Sequence, residues 1–93
     1  MDELIDSLRE VNKLQNIKLD YVKKEIKFIL DNSIIDNQKI EKTFDELLDL
    51  TYWFSEEIEP IYYKLLDYYK NINLEASKDY EKFYLEIIEE LNN

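Results

Sequence analysis

Apolar side chains recur at helical spacing along the first third of the chain. The stripe has a polar residue, Gln15, in its middle, and its members are Leu4, Leu8, Val11, Leu19, Val22, Ile26 and Ile29. The three- and four-residue spacing predicts a helix. The stripe fits one helix from about Asp2 to Leu30, or two helices with a break near Asn16 and Asp20 as the second N-cap. We favour the break.

Three further stripes follow a turn signal at Asp31-Asn32-Ser33. The first, behind a predicted N-cap at Asp36, contains Ile40, Phe44, Leu47, Thr51, Phe54 and Ile58. Pro60 should end or kink that helix and suit the first turn of the next, which carries Ile61, Leu65, Tyr68 and Ile72. Asn73 should cap a last helix with Ala76, Tyr80, Phe83, Ile87 and Leu91. The pattern predicts an all-α single domain over residues 1–93, a compact bundle of four to five helices.

The composition removes most catalytic chemistry. The chain has no glycine, cysteine or histidine, and therefore lacks thiol nucleophiles, imidazole bases, disulfides and phosphate-cradling glycine loops. A calcium loop over residues 31–42 fails because Asp36 stands at the obligatory glycine and Lys42 at the final glutamate. We expect no enzyme, no cofactor and no metal site. With no signal peptide or membrane span in the pattern, we expect a cytoplasmic protein, in a bacterium or in the host cell of a virus or phage.

Charge is distributed unevenly along the chain. Residues 1–42 carry nine acidic and eight basic side chains, whereas residues 43–93 carry thirteen and four, a net charge of −9. No basic residue occurs between Thr43 and Tyr63. A one-sided negative field steers positively charged partners and repels nucleic acid and anionic membranes. The charge therefore indicates a basic protein as the partner.

Helical geometry gathers these acids with aromatic rings on one face. At 100° per residue, Asp49 and Glu56 point away from the apolar stripe around Ile40 and Thr51. Rings give contact area and carboxylates pair with cations, so we expect a partner-binding surface. The alternatives are rings packed under a neighbouring helix and an ordinary solvated acidic face. The candidate residues are Asp45, Glu46, Asp49, Tyr52, Trp53, Glu56, Glu57, Tyr63 and Asp67.

The size, the acidity and the acid-rich helix from Phe44 to Glu57 (FDELLDLTYWFSEE) resemble in type the phage anti-CRISPR and anti-restriction inhibitors and the bacterial immunity proteins. The resemblance implies an inhibitor that blocks a nuclease or another nucleic-acid-binding effector, with carboxylates in place of phosphates. One alternative is an immunity protein or antitoxin against a nuclease toxin. Another is a structural or regulatory adaptor that forms a homodimer or complex subunit through the stripes Leu4–Val11 and Leu19–Ile29. A small-ligand or metal-binding bundle is a poorer third possibility, because histidine is absent.

Overall fold

The structure, a computed structural model, describes residues 2–93, with side chains from Ser7 onward. It contains three helices and no strand over that range: α1 (Asp2–Asp31), α2 (Asn37–Tyr69) and α3 (Leu74–Asn92). The all-helical prediction is confirmed, but the predicted count of four to five helices is not matched. None of the described helices combines the length and the apolar character needed to cross a membrane.

α1 is one continuous helix, and the break favoured near Asn16 is wrong. The Asn16 side chain donates a hydrogen bond to the carbonyl of Asn12, one turn earlier, at 2.9 Å. Asparagine often favours turns because its side chain competes for backbone hydrogen bonds, but here the bond joins groups one helical turn apart and the helix continues. Asp20, proposed as a second N-cap, is an exposed residue inside the helix.

The turn between α1 and α2 forms as the sequence predicts, although it contains no glycine. Ser33 has a left-handed φ of 51°. The amide of Ile34 donates to the carbonyl of Ile29, and that of Ser33 to Leu30, the pattern of a Schellman C-cap. Asp36 then caps α2 by accepting bonds from the amides of Gln38 and Lys39, and Asn73 caps α3 through the amide of Ala76. Both predicted N-caps are confirmed.

α2 bends sharply at Phe54, whose φ of −138° and ψ of 50° are not helical. We call residues 37–53 the first segment of α2 and residues 55–69 the second. The chain doubles back at the bend, since the Tyr69 hydroxyl near the end of the helix reaches the side chains of Asn37 and Glu41 near its start. Just before the bend, the buried Thr51 hydroxyl bonds the carbonyl of Leu47 at 2.7 Å, a contact that favours local bending.

The helix was expected to end or kink at Pro60, but it bends six residues earlier, at Phe54. The helix continues through Pro60 to Tyr69, and only Phe54 has non-helical dihedral angles. Proline removes the hydrogen bond that the Glu56 carbonyl would otherwise accept. Glu56 and Pro60 are both exposed, so water can replace that bond.

An aromatic cluster fills the core between the two segments of α2 and α3. The buried Phe44 ring lies 5.2 Å from the Tyr62 ring and is stacked at 4.7 Å on Tyr80 of α3. Tyr62 stacks in turn on Tyr84 at 4.6 Å. α1 packs elsewhere on α2, through Leu19, Val22, Ile26 and Ile29, and the described parts of α1 and α3 do not contact each other.

Candidate functional site

The first segment of α2 presents its acidic side chains outward, as the sequence predicts. Asp45, Asp49, Tyr52 and Trp53 are exposed, and Glu46 is partly buried toward α1. Trp53 keeps 47% of its surface exposed, which argues against complete burial under a neighbouring helix. Helical spacing alone places these side chains, because the segment is regular up to the bend.

The expected single face from Asp45 to Glu57 does not form, because the bend at Phe54 turns the helix axis between them. Glu56 and Glu57 begin the second segment and are exposed. Glu57 also pairs with Lys23 of α1, with 3.3 Å between the Nζ and Oε2 atoms. A lysine of α1 thus partly neutralises one predicted carboxylate. The expectation of a single acidic face is wrong.

Tyr63 and Asp67 lie beyond the bend, next to a different part of α3. Tyr63 was predicted as part of the partner-binding surface, but it is half-buried, with its ring edge-on to Tyr84 at 5.6 Å. Asp67 is exposed and pairs with Lys70 one turn later. Both residues line a shallow hollow between the second segment and α3. The nine predicted residues therefore occupy more than one surface.

Two tyrosine hydroxyls join carboxylates along the contact between α3 and the first segment of α2, and a third joins the two segments of α2. Tyr80 donates to Asp45 at 3.2 Å, and Tyr52 donates to Glu90 at 3.1 Å. Tyr69 donates to Glu41. We call the four carboxylates that follow this contact the acidic seam: Glu41, Asp45, Asp49 and Glu90.

Burial, hydrogen bonding and the negative charge of the seam raise the pKa values of Tyr80 and Tyr52, which lie beside it. Burial first, then the charges of Asp45 and Glu41, raise the pKa of Tyr80 to about 12. The hydrogen bond to Glu90, followed by burial and the charges of Glu90 and Asp49, raises the pKa of Tyr52. Among the described residues no lysine or arginine pairs with a seam carboxylate. The seam therefore presents unneutralised negative charge beside exposed phenol surface.

Trp53 lies in a groove on the other side of the first segment, against α1. The groove has a volume of about 650 Å³. Its apolar wall includes Ile17, Tyr21, Trp53, Val22 and Leu50, and its polar rim includes Gln15, Lys18, Glu46 and Asp49. Asp49 thus belongs to both the seam and the groove.

Sequence reasoning found two of the four seam residues and missed Glu41 and Glu90. Glu41, Asp45 and Asp49 recur every four residues, so a shared helical face could have revealed Glu41. Glu90 joins them only because α3 packs alongside the first segment. Nothing in the local spacing predicts that contact.

Among the described residues, no group of three or more acidic side chains is arranged to hold a metal ion. Three of the four seam carboxylates, Glu41, Asp45 and Glu90, instead accept hydrogen bonds from tyrosines. In comparisons with known proteins, no family model, no curated protein and no solved structure matches this chain.

Proposed function

We propose that the protein is a small acidic inhibitor that binds a basic nucleic-acid-handling protein through the acidic seam. The carboxylates of Asp45, Asp49 and Glu90 pair with lysine and arginine side chains that otherwise contact phosphates. Tyr52 and the outer part of Trp53 add apolar contact area beside the charges.

The observation that carries this proposal is the seam's unneutralised charge. The seam residues are in none of the ion pairs between described residues. Holding like charges side by side on a surface disfavours the folded state, and a cationic partner relieves that repulsion. The same repulsion opposes direct binding to nucleic acid.

The hydrogen bonds within the seam support a preformed surface. Tyr80 and Tyr69 are fixed by the aromatic core, because their rings contact Phe44, and their hydroxyls hold Asp45 and Glu41. A carboxylate that is already ordered loses less conformational entropy on binding than a free one. The geometry therefore favours recognition of a rigid basic groove.

An immunity protein or antitoxin that neutralises a nuclease toxin needs the same surface chemistry. The two possibilities differ in the identity of the partner and not in the residues that contact it. The adaptor alternative depends on a different surface, the stripes Leu4–Val11 and Leu19–Ile29 of α1, of which the second is buried against α2.

Affinity capture tests the proposal and identifies the partner. The full chain is immobilised, incubated with nuclease-treated lysate of its native host, and eluted with rising salt. We expect one basic, nucleic-acid-binding protein that elutes early in the gradient, because salt screens exposed charge pairs. The purified partner should lose its nucleic-acid binding when the protein is added. Capture of acidic proteins alone, or a ternary complex with nucleic acid still bound, would contradict the proposal.

A further inference from the structure

The amino-terminal half of α1 extends past the part of the helix that packs on α2. The first buried side chain of α1 among those described is Leu19. Before it, Leu8, Leu14 and Ile17 keep 55%, 58% and 55% of their surface exposed, and Val11 keeps 38%. We call residues 7–18 the α1 arm.

Four apolar side chains of the arm are spread over about half of its circumference, with Glu10, Gln15 and Lys18 between them. At 100° per residue, Val11 lies between Leu8 and Leu14, Ile17 extends the same arc, and Tyr21 lies between Leu14 and Ile17. Tyr21 is also exposed, at 57%. An isolated helical segment of this length is only marginally stable in water without packing, and exposed apolar patches of this kind mark contact surfaces. The exposed apolar side chains of the arm therefore indicate a surface that packs against another helix.

The apolar arc continues from the arm into the groove beside Trp53. Ile17 and Tyr21 belong both to the arc and to the groove wall, and Val22 and Leu50 extend that wall toward the core. A helix lying along the arm would reach the groove past Gln15 and Lys18, which stand at its rim. The contact surface is thus the arm and the groove together.

Charge along α1 indicates which helix fits. Residues 2–10 contain four acids and one base, whereas residues 13–27 contain five lysines and two acids. Two copies of α1 that run antiparallel place the acidic end of each against the basic stretch of the other. A parallel pair would oppose like charges, which disfavours association.

We propose that two copies of this chain associate through their α1 arms, antiparallel and with the crossing near Leu14. In this two-fold arrangement, Leu8 and Val11 of each copy pack in the groove formed by Ile17, Tyr21 and Trp53 of the other. The interface leaves most of the acidic seam open to the basic partner, because Asp45 and Glu90 lie at the contact between the first segment and α3. Trp53 belongs to both proposed contacts. Asp49, which also lines the groove, is not needed for the pairing.

Mass measurement across a dilution series, on the full chain, tests the association. We expect a mass twice that of the 11.4 kDa chain at high concentration, and dissociation on dilution. Trp53 is the only tryptophan, so its emission should shift to longer wavelength as the groove opens to water. A monomer at all concentrations, or a trimer or tetramer, would overturn the proposal.

A matched pair of variants separates the arm from general surface effects. Leu14→Glu should give a monomer with unchanged helix content and no concentration-dependent Trp53 emission. Leu85→Glu makes the same substitution at a leucine of α3 that is 50% exposed, and should remain a dimer. A dimeric Leu14→Glu protein, or a monomeric Leu85→Glu protein, would exclude the arm as the interface.

Single cysteines test the orientation, because the chain has none of its own. In the antiparallel arrangement with a crossing at Leu14, residue 10 of one copy lies near residue 18 of the other. Glu10→Cys and Lys18→Cys proteins should therefore form a mixed disulfide when combined, faster than either forms one alone. Faster self-linking by Glu10→Cys would instead show a parallel pair. Monomers in all these assays would leave the basic-partner proposal standing, and failed partner capture would not affect the dimer.

Discussion

The rings of Phe44 and Tyr62 have their centroids 5.2 Å apart, although the two residues lie 18 positions apart in α2, on either side of the bend at Phe54. A straight helix would separate them by roughly 27 Å along its axis. The bend at Phe54 brings them together, and α3 packs against both rings through Tyr80 and Tyr84. This contact also sets the position of the acidic seam, because Tyr80 holds Asp45.

Removing the Phe44 ring should destabilise the whole fold. Phe44 is fully buried and contacts Tyr62, Tyr69 and Tyr80, so Phe44→Ala should lower the free energy of unfolding by about 3–5 kcal/mol. Urea unfolding followed by circular dichroism measures this. Phe28→Ala is the matched control: the Phe28 ring is 49% exposed beneath Lys39, and its loss should cost about 1 kcal/mol or less. Equal losses for both variants would contradict the described core.

The hydroxyl of Tyr62 should contribute to stability separately from its ring. It donates a partly buried hydrogen bond to the carbonyl of Tyr80, and Tyr62→Phe should cost about 1 kcal/mol. At the adjacent Tyr63, the hydroxyl has no protein partner in the described part of the chain, so Tyr63→Phe should be nearly neutral. Thermal unfolding of the two variants compares them directly. A larger loss for Tyr63→Phe would show that the roles of the two hydroxyls are reversed.

Ser33 should be replaceable by glycine with a gain in stability. A side chain at the left-handed φ of 51° costs roughly 1 kcal/mol that glycine avoids, part of which is offset by the greater freedom of glycine in the unfolded chain. We expect Ser33→Gly to raise the free energy of unfolding by up to about 1 kcal/mol in chemical denaturation. Ser33→Ala keeps the Cβ atom and should bring no gain. Destabilisation by glycine would contradict the Schellman cap.

The protein should lose stability in alkaline solution. Burial, together with the charges of Asp45 and Glu41, raises the pKa of Tyr80 to about 12 from the ordinary value of 10.0, and burial raises the pKa of Tyr62 and Tyr69. A folded-state pKa above the unfolded one gives a stabilisation that is complete below pH 10 and declines as the pH rises from 10 toward 12.

Urea midpoints measured between about pH 9 and pH 12 test this slope. Tyr80→Phe should flatten it, because the variant lacks one of the shifted phenols. A midpoint that stays constant, or rises, above pH 10 would contradict the buried positions of these hydroxyls.

Local pattern predicted the helices and caps well. The caps at Asp36 and Asn73 and the outward orientation of Asp45 and Asp49 depend on nearby residues only. The bend at Phe54, in contrast, does not depend on nearby residues only. Phe54 fits the apolar stripe of a straight helix, and the proline that signals a break lies further along at Pro60.

The bend forms because long-range packing outweighs local helix preference. Folding the two segments together buries Phe44, Tyr62 and Tyr69, and each large side chain buried contributes roughly 1.5–3 kcal/mol. One residue with non-helical dihedral angles costs about 1–3 kcal/mol, which is less than the three buried side chains contribute together. For the same reason the sequence could not reveal that Glu90 completes the seam, or that Lys23 reaches Glu57.

The central claim is that the acidic seam is the contact surface for a basic partner. Its most direct test is calorimetric titration of the captured partner with two triple charge-reversal proteins. One carries Asp45→Lys, Asp49→Lys and Glu90→Lys in the seam. The other carries Glu59→Lys, Glu75→Lys and Glu81→Lys, three exposed acids away from the seam. Both change the net charge of −10 by the same amount, so long-range attraction is matched, and circular dichroism confirms that both fold.

The seam variant should bind roughly a hundredfold more weakly than the unmodified protein, and the control should lose far less. A third protein carries Asp45→Asn, Asp49→Asn and Glu90→Gln, which remove the charges without adding new ones. It should also bind the partner more weakly than the unmodified protein does. If the seam variant retains its affinity, or if both charge-reversal proteins lose it equally, the seam is not the contact surface.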